Sequence, residues 1–129
     1  MTDLSLDDKW FTRKWRPGHL ISLPGEEWRD VRGFEGLYRV SSMGRVWSTP
    51  RISATGDRRV GGRIIRGTEW MGLRILQLRT AEGTTVALPL AVLVMEAFLD
   101  IPYWPEFRDG DTTNCALENL DVSRLKPYR

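Results

Sequence analysis

The stretch Leu37-Tyr38-Arg39-Val40-Ser41-Ser42-Met43-Gly44-Arg45-Val46-Trp47-Ser48 reads as two short strands about a Met43-Gly44 turn. Aromatic and β-branched residues interrupted by a Gly-containing turn signal a hairpin. Working outward, Arg63-Ile64-Ile65-Arg66 is a brief strand broken by Gly67. Leu73–Arg79 and Thr84–Leu88 form a further pair, joined by a turn at Glu82-Gly83, and Thr55–Gly62 is a polar loop. At Pro89 the period changes. Leu90, Leu93, Val94, Ala97 and Phe98 fall on one helical face, and Pro89 suits a first helical turn. Ile101-Pro102 ends that helix, Asp109–Asn114 predicts a tight polar turn, and Ala116–Arg124 a last short helix. Upstream, Pro17-Gly18 and Pro24-Gly25 mark turns, and Trp10, Phe11 and Trp15 are expected to pack back on the domain, with a short partner-docking helix over Leu6–Trp15 as the alternative.

Composition bounds the class. With 129 residues, 41% hydrophobic and 28% charged, the chain is an ordinary globular domain that needs no staple. One cysteine, Cys115, rules out an internal disulfide and fits a reducing cytoplasm. The longest apolar run, Val86 to Met95, contains Pro89 and is too short to span a bilayer. An N-terminus carrying Asp3, Asp7 and Asp8 does not read as a signal peptide. The expected location is the cytoplasm, that of the host cell if the chain is phage-encoded.

The net charge of +2 hides an asymmetry. Residues 45–79 hold eight arginines against Asp57 and Glu69, whereas residues 80–129 are net acidic. Dense cations suit a phosphate backbone, because each neutralised phosphate releases counterions. Sixteen of the nineteen basic residues are arginine, whose fork matches phosphates and guanine edges.

Two stretches carry a resemblance. Glu27-Trp28-Arg29-Asp30-Val31, Gly33-Phe34-Glu35-Gly36-Leu37-Tyr38, Val40-Ser41 and Gly44-Arg45-Val46 resemble the nuclease-associated modular DNA-binding (NUMOD) type. Leu93-Val94-Met95-Glu96-Ala97-Phe98, Asp109-Gly110-Asp111, Asn114 and Glu118-Asn119-Leu120 resemble the HNH endonuclease module that commonly follows it. Similar proteins are commonly phage-borne or homing nucleases. The implied fold is α+β, a small twisted antiparallel β-sheet joined to a degenerate ββα-metal (HNH-like) module. Residues 1–25 would form an N-terminal extension, 26–85 the β-rich DNA-binding region, and 86–129 the HNH-like module. The resemblance implies a sheet presenting Arg39, Arg45, Arg51, Arg58, Arg59, Arg63, Arg66 and Arg74 to double-stranded DNA. Trp28, Phe34, Tyr38 and Trp47 read as scaffold that gives a small sheet apolar mass.

The same resemblance exposes a loss. An HNH nuclease uses a histidine to activate water and a divalent cation to stabilise the leaving oxygen. That histidine aligns with Phe107, which cannot accept a proton, and the upstream one aligns with Ala91. Glu106 and Asn119 are remnant metal candidates, and two oxygen ligands hold Mg²⁺ only weakly. No cofactor is therefore expected. His19, the sole histidine, reads as structural or solvated, and Cys115 as a buried inert thiol.

Three functions follow. The favoured one is a DNA-binding protein derived from an HNH endonuclease, its catalytic histidines lost, serving as regulator or accessory factor. A second is a protein-binding phage factor that inhibits or recruits a host protein; Tyr103-Trp104 is expected to pack over the preceding helix, with a role as anchor for such a partner as the alternative. The third is an active metal-dependent homing endonuclease.

Overall fold

The computed structural model describes residues 18–101 and 103–127. The expected packing of Trp10, Phe11 and Trp15 and the alternative Leu6–Trp15 helix both lie outside them. Four short strands form the first sheet: β1 (Trp28–Asp30), β2 (Tyr38–Ser41), β3 (Val46–Ser48) and β6 (Arg63–Ile65), in the order β1-β2-β3-β6. All its pairs are antiparallel, and Val40 opposite Val46 and Val46 opposite Ile65 set the register. The β2–β3 hairpin is the one expected. Gly44 in its turn has φ +78°, and a Cβ there would meet the Cys115 backbone at 3.0–3.1 Å. Glycine thus satisfies both the turn and the close approach of the Cys115 segment.

A two-stranded ribbon, β4 (Arg51–Ile52) with β5 (Arg59–Val60), rises from the segment expected to be loop. Ser53 and Thr55 hydroxyls donate to Asp57 in its tip, which makes the polar run a built turn. A third sheet runs β7-β8-β9, with β7 (Thr68–Trp70), β8 (Leu73–Arg79) and β9 (Thr85–Pro89). The β8–β9 pair is as expected, and β7 is additional.

Helix α1 (Leu90–Leu99) follows directly from β9. Pro89 stands outside its first turn: φ −70° and ψ 135° make it the extended cap. The single apolar face expected here is also corrected. Leu90 through Glu96 are all buried, because α1 packs against β1, β2, β8, β9 and β10. Its end is closed by Asp100 at φ 58° and by Arg29, which donates to the Ala97 carbonyl at 3.3 Å and lies 4.8 Å from the Phe98 ring. A cation at a helix C-terminus answers the exposed carbonyls there.

The last expected helix is absent. A 3₁₀ turn (Leu117–Asn119) leads into strand β11 (Leu120–Pro127), paired with β10 (Tyr103–Phe107). The register shifts by three residues between Trp104 and Glu106, which pair with Lys126 and Asp121, so the extra residues lie on β11, opposite Pro105, which has no N–H to give to a ladder. Strand pairing satisfies the backbone of both segments, which local helical propensity could not. One hydrophobic cluster joins Val31, Tyr38, Val40, Val46, Leu76 and Leu78 to Leu90, Leu93, Val94, Met95, Cys115 and Leu120. Phe34 and Tyr38 meet edge to face within it, 6.0 Å apart. The described residues thus form small antiparallel sheets about one helix. Among them no helix is long and apolar enough to cross a membrane.

Candidate nucleic-acid interface

The arginines divide by what already holds them. Arg45 forks onto Glu26, with Nε 2.8 Å from Oε2 and a second nitrogen 2.6 Å from Oε1. It also donates to the Ile21 carbonyl and lies 5.3 Å from the Trp28 ring. The Glu26 side chain is fully enclosed, and Arg45 holds its carboxyl down at about 2. This pair ties residues 21–26 to the first sheet. Arg51 is equally committed. It donates to the Leu37 and Thr49 carbonyls, the Ser48 hydroxyl and the Tyr38 hydroxyl, all within 3.1 Å, and sits 4.8 Å over the Tyr38 ring. Arg39 is half-buried and donates to the Trp28 carbonyl.

The Tyr38 hydroxyl accepts from both Arg51 and the Arg79 backbone N–H, so it joins the ribbon, the first sheet and β8. Tyr38→Phe removes a buried acceptor from two donors. It is expected to cost about 1–3 kcal/mol of stability in denaturant unfolding, with the fold retained.

Between the β4–β5 ribbon and the ends of β6 and β8 lies a groove of about 560 Å³. Arg58, Arg63 and Arg79 line it and are exposed, with Arg51 beneath. Ser53, Gln77 and Thr80 add polar contacts, and Tyr38, Ile52 and Ile65 an apolar floor. A second cleft of about 320 Å³ borders the other end of β6, lined by Arg45, Arg66, Arg74 and Thr113. The expected cations therefore separate. Arg58 and Arg63 share the groove, Arg66 and Arg74 the cleft, while half-buried Arg59 lines neither. Arg79 was missed as a site residue. Its signal was present: Leu76 and Leu78 face inward, so alternation turns Gln77 and Arg79 outward.

The Asp109 turn sits beside the cleft. Asp109 accepts from Asn114 Nδ2 at 2.8 Å, Asn119 Nδ2 at 3.0 Å and the Asp111 N–H at 2.8 Å. These donors, Asn114 first, hold its carboxyl below the usual range. Asn119 is buried. Its Oδ1 takes the Asp109 N–H, and its amide also reaches the Asn114 carbonyl at 2.9 Å. Phe107 packs against the core, Ala91 is buried within it, and Glu106 is exposed on β10. Burial pushes the Cys115 thiol up to about 11, so it is not ionised near neutrality. His19 is exposed, and its neighbour Gly18 donates to the Gly62 carbonyl, at the opposite end of β3 from Gly44. Among the described residues no three His, Cys, Asp or Glu side chains converge on a metal position.

Residues 26–79 match the NUMOD4 motif. This DNA-binding motif of homing endonucleases spans every strand of the groove. A solved structure, reported for DNA binding and cleavage by the HNH homing endonuclease I-HmuI, shares the fold with a TM-score of 0.59 and 23% identity. The likeness covers 78% of this chain, which spans about half of that structure, 52% of its length. No curated protein matches the chain. Arg79 is the last residue of the NUMOD4 match, and the Asp109 turn lies beyond it.

Proposed function

We propose that the chain is a DNA-binding protein of HNH-endonuclease descent that grips duplex DNA without cutting it, in a regulatory or accessory role. The observation that carries this is an open arginine groove within the NUMOD4 match, and the non-cutting part is supported by Phe107, packed against the core where the resemblance expects a histidine. Arg58, Arg63 and Arg79 line a groove within the NUMOD4 match and are exposed. Three cations spaced along one groove can track successive phosphates, the term that dominates DNA affinity.

The turn does not fit the metal that an HNH fold implies. Both Asp109 oxygens accept hydrogen bonds from within the loop, and Asn119 is spent on closing it. Phe107 supplies apolar contact where a base would stand. No hydrolytic step is derived from these residues. Phage origin accords with the nuclease ancestry and is part of the proposal.

The test is direct. Purified protein is incubated with supercoiled and linear duplex in Mg²⁺ and then in Mn²⁺, and the products are run on a denaturing gel. The expected result is retarded mobility on a native gel and intact strands on the denaturing one. Metal-dependent nicking that co-purifies with the protein would overturn the non-cutting role.

A further inference from the structure

The β7–β8 hairpin ends in a feature the DNA groove does not use. Its two-residue turn is Met71-Gly72, closed by Trp70 opposite Leu73. Both turn residues have positive φ, 51° at Met71 and 80° at Gly72. That is the pattern of a type I′ turn, whose first position favours Asn, Asp or Gly. Methionine carries a Cβ that disfavours this region and no side-chain polar group to compensate. It is also 80% exposed, and Trp70 beside it is 62% exposed. The tip thus combines an unfavourable backbone with two large apolar side chains held in water. Neither fold stability nor solubility asks for either.

The tip is also braced and flanked. The Thr112 hydroxyl donates to the Gly72 carbonyl, which fixes the hairpin against the Asp109 turn. Thr113, the next residue, lines the cleft that holds Arg66 and Arg74. Glu69 stands opposite Arg74 in the strand register, so the acidic side chain near the tip has a cation across from it.

We infer that Trp70 and Met71 form a wedge that enters between adjacent base pairs of bound duplex, with Arg66 and Arg74 in the neighbouring cleft on the phosphates beside it. The inference rests on the DNA-binding reading above. Apolar side chains, methionine among them, unstack base steps and kink the helix by about 20–90°. A neighbouring indole stacks on the exposed base whatever its identity. Partner chemistry follows from the surroundings: an apolar tip beside a cleft that holds cations fits stacked bases beside phosphates.

The experiment measures binding and bending together. A duplex of about three helical turns carries a donor dye at one end and an acceptor at the other, and energy transfer is followed on titration with protein. Met71→Asn suits the turn better than methionine, so its melting temperature is expected to equal or exceed that of the wild type. Wild type is expected to raise transfer on binding. Met71→Asn and Trp70→Ala are expected to keep the salt slope, lose most of the transfer change and bind about ten-fold more weakly. Variants that bind and bend as wild type does would overturn the wedge while leaving the DNA reading standing. A wild type that binds no duplex at low salt would overturn both. Self-association of wild type that Met71→Asn abolishes would make the tip a protein contact and overturn the wedge.

Discussion

Alanine at Arg58, Arg63 and Arg79 together is expected to lower duplex affinity by about 100-fold at low salt. The three guanidinium groups line the groove and are exposed, so their removal leaves no cavity in the core. Each phosphate contact contributes about 0.9 to the slope of log affinity against log salt. The triple variant should therefore show a slope shallower by about 2.7. Its unfolding free energy should stay within about 0.5 kcal/mol of wild type, as for surface changes. Arg51→Ala provides the contrast. Arg51 holds Leu37, Ser48, Thr49 and Tyr38 together, so its loss should appear first as lost stability. Fluorescence anisotropy at several salt concentrations separates the two. A triple variant with unchanged affinity and slope would remove the groove from the interface.

Glu26→Gln is the second large effect. Arg45 lowers the Glu26 carboxyl from an ordinary 4.5 to about 2. A carboxylate whose folded value is depressed stabilises the fold above its unfolded value. That stability is present above pH 4.5 and is lost as the pH falls through about 2. The shift corresponds to about 3 kcal/mol at neutral pH. Glutamine keeps the shape and one acceptor oxygen but removes the negative charge and sets an NH2 against the Arg45 guanidinium, whose other partners are the Ile21 carbonyl and the Trp28 ring. Stripping one partner from an enclosed pair is costly, because the other charge stays unanswered. Denaturant titrations at pH 7 should place the variant about 2–3 kcal/mol below wild type. The two should converge as the pH approaches 2. A constant gap at all pH values would assign the effect to packing instead of charge.

Much of this structure was legible in the sequence because short-range signals governed it. Met43-Gly44 between two β-branched, aromatic-rich runs gave the β2–β3 hairpin, and the change of period at Pro89 gave α1. The failures came where tertiary contacts outweighed local pattern. Residues 116–124 have helical spacing, yet Phe107 and Glu106 offer a strand edge, and β11 pairs with it. The β4–β5 ribbon was hidden because the local bonds of Asp57 to Ser53 and Thr55 read only as a polar loop, and its base is held by Arg51 reaching back to Tyr38, a contact that no short window of sequence contains. Helix α1 has apolar residues on more than one face, and only its surrounding strands explain why none is exposed before Ala97.

The candidate site was legible in kind but not in detail. The charge run between residues 45 and 79 falls inside the segment that matches NUMOD4. It could not tell an arginine spent on a carboxylate from one left at a groove. Arg45 and Arg51 carry the same charge as Arg58 and Arg63, yet the fold consumes the first two as struts. Phe107 shows the converse. Its identity suggested a missing base through the resemblance alone, and what the structure adds is a place against the core.

The central claim is that the arginine groove holds duplex DNA through its phosphates. The most direct measurement is binding of a labelled duplex across salt concentrations from about 50 to 200 mM. A straight fall in log affinity against log salt, steep enough for at least three phosphate contacts, is the predicted result. Absence of binding at the lowest salt, or affinity that does not change with salt, would contradict it.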